Sequence, residues 1–65
     1  MLLKVNGVEE ECADTNLAEL VAAKGLRRDS LVVELNGSII KQELWQTTGL
    51  HDGDQVELLN FVGGG

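Results

Sequence analysis

The fold is decided by one stretch near the end of the chain, Gln55-Val56-Glu57-Leu58-Leu59-Asn60-Phe61-Val62. It follows Asp52-Gly53-Asp54, a tight-turn sequence, so we predict a β-strand over residues 55–62. Only three glycines come after it, and no return strand. This strand therefore needs partners from earlier in the chain, and we expect it in the middle of a sheet.

Two Asn-Gly pairs predict those partners, because Asn-Gly is a strong signal for a two-residue type I′ hairpin. Asn6-Gly7 follows an aliphatic run at the start of the chain, and Asn36-Gly37 follows a β-branched run over residues 31–35. The predicted return strands cover residues 8–12 and 38–41.

The first hairpin contains a conflict. A two-residue loop places Val5 opposite Val8 and Leu3 opposite Glu10, so Glu10 shares a face with core residues. A bulge in the second strand would resolve this, and so would a Glu10 side chain that reaches solvent at the sheet edge. The sequence leaves both solutions open.

A short helix is predicted between the hairpins. Asn16 has Glu19 three residues on, which is typical of a capping box, so the helix begins at Leu17. Gly25 is placed to end it in the left-handed conformation, about two turns later. The basic pair Arg27 and Arg28 then lies in a solvated connection, with a docking role as the alternative.

Residues 42–45 predict a single helical turn in which Leu44 or Trp45 closes one end of the core. We interpret Trp45 as a packing residue, although a ligand-stacking role is the alternative.

The predicted order of elements is hairpin, helix, hairpin, helical turn and strand. This order predicts an α+β fold of the β-grasp (ubiquitin-like) class. One five-stranded mixed sheet packs on one helix, and residues 1–62 form a single domain. The predicted apolar face consists of Leu3, Val5, Leu17, Leu20, Val21, Val33, Leu35, Val56 and Leu58.

Composition narrows the function. The 65 residues include 11 acidic and 5 basic side chains, for a net charge of −6, which opposes binding to nucleic acid or anionic lipid. No apolar run is long enough for a membrane span and no signal peptide is present, so we expect a cytoplasmic protein. The lone Cys12 is interpreted as a small buried hydrophobe.

The sequence contains no arrangement typical of a catalytic or metal site. His51 has no nucleophile or second ligand beside it, and Asp52 and Asp54 lack the rest of a calcium loop. We therefore expect a protein that is not itself an enzyme and binds no metal or cofactor.

The last residues, Gly63-Gly64-Gly65, predict a thin flexible tail, because glycine has no Cβ and little conformational preference. With Phe61 and Val62 it would extend roughly 17 Å, far enough to enter another protein's active site. It would deliver there the Gly65 carboxylate, a poor electrophile until it is activated. The alternative is an ordinary frayed terminus.

The whole chain resembles the ThiS family, the sulfur carrier proteins of thiamin thiazole biosynthesis. The resemblance rests on Asn6-Gly7, Asn16-Leu17-Ala18-Glu19-Leu20, Leu35-Asn36-Gly37 followed by Ile39-Ile40, Trp45, Asp52-Gly53-Asp54-Gln55-Val56 and Phe61-Val62-Gly63-Gly64-Gly65. The terminal Gly-Gly alone is shared with molybdopterin-synthase small subunits and with ubiquitin. Glu10 departs from the pattern, where an apolar residue is expected.

The resemblance implies that an ATP-dependent adenylating enzyme of the ubiquitin-activating type converts the Gly65 carboxylate to an acyl adenylate. A sulfur donor protein then makes a thiocarboxylate, and thiazole synthase takes up the sulfur. A carrier for molybdopterin or another product, a ubiquitin-like conjugation or interaction module, and a small enzyme are the alternatives.

The final strand also predicts a docking surface. With Val56 and Leu58 inward, Leu59 and Phe61 point to the opposite face of the sheet. We expect Leu2, Val32 and Val62 beside them, forming an apolar patch where the tail leaves the domain. The alternative is that these are scattered surface residues, with Phe61 folded over the sheet edge.

Overall fold

The computed structural model describes residues 1–61, which form one mixed β-sheet and the helices packed against it. The elements are β1 (Leu2–Val5), β2 (Val8–Glu11), α1 (Leu17–Ala23), a first 3₁₀ helix (Arg28–Ser30), β3 (Leu31–Leu35), β4 (Ser38–Ile40), a second 3₁₀ helix (Gln42–Thr47) and β5 (Gln55–Asn60).

The strand order in the sheet is β2-β1-β5-β3-β4. β5 lies in the centre, parallel to β1 on one side and antiparallel to β3 on the other. The predicted β-grasp architecture, with the last strand between the first and the third, is confirmed.

Both predicted hairpin turns are confirmed. Their central residues all have positive φ: 49° at Asn6, 82° at Gly7, 51° at Asn36 and 88° at Gly37. Positive φ at both central positions defines the type I′ turn, whose twist matches that of the strands it joins.

The Glu10 conflict is resolved at the edge of the sheet. The pairing of β1 with β2 runs without a bulge, and Leu3 is opposite Glu10 as predicted. β2 is an edge strand, so the Glu10 side chain extends past the core and forms an ion pair with Lys24, just after α1. Both side chains are about one-third exposed (32% and 34%), which limits the stabilisation that this pair supplies.

The ends of α1 follow from local sequence. At the start, Asn16 Oδ1 accepts a hydrogen bond from the Glu19 N–H (2.9 Å). At the end, Gly25 has φ 69°, its N–H donates to the Ala22 carbonyl, and the Leu26 N–H donates to the Val21 carbonyl. These two bonds form a Schellman motif, which satisfies carbonyls that the helix leaves free.

One detail of the predicted capping box differs. The Glu19 carboxylate binds the N–H (2.8 Å) and the hydroxyl (3.0 Å) of Thr15, one residue before the N-cap. These two hydrogen bonds lower the pKa of Glu19, and the bond from the Thr15 N–H has the larger effect.

The Glu19 contact predicts a pH effect on stability. A carboxyl whose pKa is lower in the folded state stabilises the fold above its unfolded pKa of about 4.3, and this contribution is lost as the pH falls through the folded value. We expect Glu19→Gln to be less stable than the parent at pH 6, with the gap narrowing toward pH 3. Urea unfolding of both proteins at several pH values measures this. A gap that is constant with pH would contradict it.

The core lies between the sheet and α1. All nine predicted apolar-face residues pack there, although Leu35 is only half-buried, and Cys12, Leu31, Trp45 and Leu50 join them. Trp45, not Leu44, closes the core. Trp45 is 1% exposed and donates its indole N–H to the Ile40 carbonyl (2.8 Å), whereas Leu44 is 49% exposed.

Three strands end earlier than predicted: β2 ends at Glu11 and not at Cys12, β4 ends at Ile40 and not at Lys41, and β5 is also shorter. β5 ends at Asn60 and not at Val62, because its partner β3 begins at Leu31, directly opposite Asn60. Beyond that pair, the Phe61 N–H donates to the Ser30 carbonyl (2.7 Å).

The connection that contains Arg28 is a 3₁₀ turn, with the guanidinium 5.8 Å from the centre of the Trp45 ring.

Candidate functional site

The face of the sheet that points away from α1 is called here the outer face. Along β5, Val56 and Leu58 are buried, while Gln55, Glu57 and Leu59 are exposed. This alternation confirms the predicted division of β5 into a core face and an outer face.

An apolar cluster occupies the outer face near the end of β5. Val32 lies directly opposite Leu59, and exposed Phe61 follows two residues later. The structure adds Ile39, which is 68% exposed and pairs with Glu34, two residues along β3 from Val32. We call Val32, Ile39, Leu59 and Phe61 the outer patch.

The exposure of Ile39 on the outer face was not among the sequence predictions, although the hairpin register implies it. In a two-residue hairpin Leu35 faces Ser38, so Ile39 must face Glu34 and point outward. The hairpin register alone thus predicts its exposure.

Leu2 does not join the outer patch. Its carbonyl accepts a hydrogen bond from the Gly53 N–H (2.8 Å), so it lies level with the turn before β5. Leu59 lies four residues beyond Gln55, where β5 begins, which is roughly 13 Å along the strand. Leu2 shares the outer face, as predicted, but at its opposite end.

Two glutamates border the outer patch. Glu34 on β3 and Glu57 on β5 are directly opposite each other, and neither takes part in an ion pair among residues 1–61. Like charges in this position disfavour the folded sheet. They also make the border of the patch suitable for a partner surface that carries basic side chains.

The tail lies outside the described residues. Val62 and the predicted site residues Gly63, Gly64 and Gly65 belong to residues 62–65, so their roles stay predictions. Phe61, the last described residue before the tail, is itself part of the outer patch.

The remaining reactive side chains are placed as follows. Cys12 is 6% exposed, and burial raises the pKa of its thiol. His51 is exposed, with its Nδ1 3.8 Å from an Asp54 carboxylate oxygen. Within residues 1–61, no three His, Cys, Asp or Glu side chains are grouped to hold a metal ion.

The outer face also has a shallow depression. Its volume is about 380 Å³, and it is lined by Lys4, Gly7, Glu34, Gly37, Gln55 and Glu57. This lining includes neither a histidine nor a hydroxyl or thiol nucleophile, so it does not form the pairing that nucleophilic catalysis requires.

Comparison with known proteins shows which family the chain belongs to. The model of the ThiS family matches residues 3–65, nearly the whole chain. The chain belongs to the ThiS family. The match includes the outer patch residues and the three glycines that follow them.

ThiS proteins are also its relatives in sequence and structure. The sulfur carrier protein ThiS of Bacillus subtilis (strain 168) is 35% identical over 66 residues, covering 98% of this chain and all of that protein. An uncharacterized protein, ycf40 of Porphyra purpurea, is 27% identical over 97% of this chain and 90% of its own length.

The crystal structure of the thiamine biosynthesis protein ThiS from Geobacter metallireducens has a TM-score of 0.86 at 38% identity, with full coverage of both chains. The solution structure of a thiamine biosynthesis protein from the same organism has a TM-score of 0.82 at 39% identity and covers all of this chain and 88% of its own. Among residues 1–61, no helix has the length and apolarity that a membrane crossing requires.

Proposed function

We propose that this ThiS-family chain is a sulfur carrier of thiamin biosynthesis, with the sulfur held as a thiocarboxylate on Gly65. One observation carries the proposal: the family match continues through the terminal glycines to Gly65. The relative named as a sulfur carrier is covered over its full length, which supports the same role for this chain.

The chemistry proceeds in two steps on the partner enzyme. The Gly65 carboxylate attacks the α-phosphorus of ATP, which forms an acyl adenylate and releases pyrophosphate. Sulfide then attacks the acyl carbon, the bond from that carbon to the AMP oxygen breaks, and AMP leaves. Loss of the S–H proton gives the thiocarboxylate. The chain is a substrate in both steps and supplies no catalytic side chain.

The glycines suit this role for a steric reason. A narrow channel that brings the terminal carbonyl to ATP admits backbone but obstructs side chains, and glycine has none. Ordering the tail on binding costs conformational entropy, which weakens the complex and favours release of the loaded carrier.

We further propose that the outer patch docks the adenylating enzyme and the thiazole synthase. Val32 and Leu59 form a cross-strand apolar pair, and Phe61, 62% exposed, extends it toward the tail. Exposed apolar clusters of this kind mark protein contacts, and the patch lies where the tail continues from the domain.

The decisive experiment is intact-mass analysis after incubation with ATP, sulfide and an adenylating enzyme of the ubiquitin-activating type. We expect the mass change of one oxygen replaced by sulfur, located at Gly65 by fragmentation. Covalent adducts of the chain on lysines of other proteins would instead show a conjugation module. A product that supports molybdopterin formation but not thiazole formation would assign another pathway.

The single cysteine provides a second test. The Cys12 thiol is buried, and its raised pKa keeps it protonated near neutral pH, so it is a poor nucleophile. We therefore expect Cys12→Ser to form thiocarboxylate at the parent rate. Loss of the reaction in a variant that circular dichroism shows to be folded would place the sulfur chemistry on Cys12.

A further inference from the structure

The two Asn-Gly turns of the sheet bind β5 at two different places. Asn6 Oδ1 accepts from the Leu58 N–H (2.7 Å), and Asn6 Nδ2 donates to the Leu58 carbonyl (3.3 Å). Both contacts are partly buried and link residues far apart in sequence.

The Asn6 side chain takes the place of missing strand backbone. β1 pairs with β5 only at Lys4 and Val5, and its last backbone bond is from the Asn6 N–H to the Val56 carbonyl (2.9 Å). β5 continues to Asn60 after β1 has turned away. The carboxamide presents its acceptor oxygen and one donor N–H to Leu58, as a peptide group does, so it extends the parallel ladder to Leu58.

Asn36 forms the matching contact at the start of β5. Its Oδ1 accepts from the Gln55 N–H (2.9 Å), and its Nδ2 donates to Asp54 Oδ1 (3.0 Å). Both asparagines have the same turn type and nearly the same φ, and each binds the backbone of β5. Asn36 holds the start of the strand, and Asn6 holds Leu58 from the β1 side. On the other side, β3 and the residue before it hold Asn60 and Phe61.

We propose that Asn6 is a positioning residue that fixes the β1 side of β5 at Leu58, and thereby the direction in which the tail enters the partner enzyme. This rests on the proposed function, since the residue to be positioned is Gly65. Leu58 precedes Phe61, the last described residue, by three positions, so looser backbone there changes the starting point of the tail. A small displacement at that point misaligns the carboxylate with ATP.

The test compares Asn6→Gly with Asn36→Gly. Glycine adopts the positive φ of each turn, so both variants keep the type I′ geometry and lose only the side-chain bonds. Amide hydrogen exchange on the full chain reports the local effect. We expect exchange at Leu58 to rise roughly tenfold in Asn6→Gly, the change expected for lost hydrogen bonds, and to stay at the parent rate in Asn36→Gly.

The activity measurement separates positioning from stability. We expect Asn6→Gly to lower kcat for thiocarboxylate formation at least ~5-fold, with little change in KM. We expect Asn36→Gly to keep kcat near the parent value, even if its melting temperature falls as far as that of Asn6→Gly. An unchanged kcat in Asn6→Gly, or equal losses in both variants, would overturn the proposal. If the parent protein forms no thiocarboxylate, the proposed function is refuted. The exchange measurement is independent of that result, because unchanged exchange at Leu58 in Asn6→Gly would refute the backbone role of Asn6 in either case.

Discussion

Replacing Gly64 with tryptophan is expected to abolish thiocarboxylate formation at Gly65 while leaving the domain folded. An indole next to the terminal carbonyl cannot pass through a channel that admits only backbone, and a carboxylate held even ~1 Å from its productive position reacts up to ~100-fold more slowly. The buried core of the described residues extends from Leu3 to Leu58, so a change at Gly64 leaves those core side chains unaltered.

Intact-mass analysis with ATP, sulfide and the adenylating enzyme measures the product, and circular dichroism with thermal melting checks the fold. Deletion of Gly65 should have the same result, since the new terminal carboxylate, on Gly64, lies one residue short of the position where ATP is attacked. Gly64→Ala is the graded control, with a smaller loss because a methyl group is far smaller than an indole. A normal rate of thiocarboxylation in Gly64→Trp would rule out a narrow channel for the tail.

Leu59→Asp is expected to weaken binding to both the adenylating enzyme and the thiazole synthase by more than ~2 kcal/mol, the level of an interface hot spot. This corresponds to about a 30-fold rise in Kd. Leu59 lies at the centre of the outer patch, opposite Val32 and two residues before Phe61. An aspartate there brings a charge into a contact that loses water, next to the acidic pair Glu34 and Glu57. Phe61→Asp should act in the same direction.

Leu2→Asp is the matched control. Leu2 and Leu59 are both 46% exposed and both lie on the outer face, but Leu2 is level with Gly53 at the opposite end of the sheet. Calorimetric titration should therefore show near-parent affinity for Leu2→Asp. Parent affinity of a folded Leu59→Asp for both partners would exclude the outer patch, and the exposed loop at Arg27 would be the next surface to test.

Much of the architecture could be predicted because its signals are local. Asn-Gly at positions 6 and 36 encodes the type I′ turns, since few residue pairs adopt positive φ at both positions. Each turn then sets the register of its hairpin, which assigns Leu3 and Val33 to the core face. The caps of α1 at Asn16 and Gly25 are local for the same reason. ThiS-family membership followed from the order of these motifs and the terminal glycines.

Features that depend on distant parts of the chain were decided only by the tertiary structure. The parallel pairing of β1 with β5 crosses some 50 residues, and no turn links the two strands to set their register. Because of that register, Leu2 lies far from Leu59 and Asn6 lies beside Leu58. The partner of Glu10 was equally hidden, because Lys24 approaches it only when α1 packs across the sheet. Local sequence thus determined the turns, caps and alternating faces, whereas the long-range register determined which exposed residues became neighbours at the end of β5.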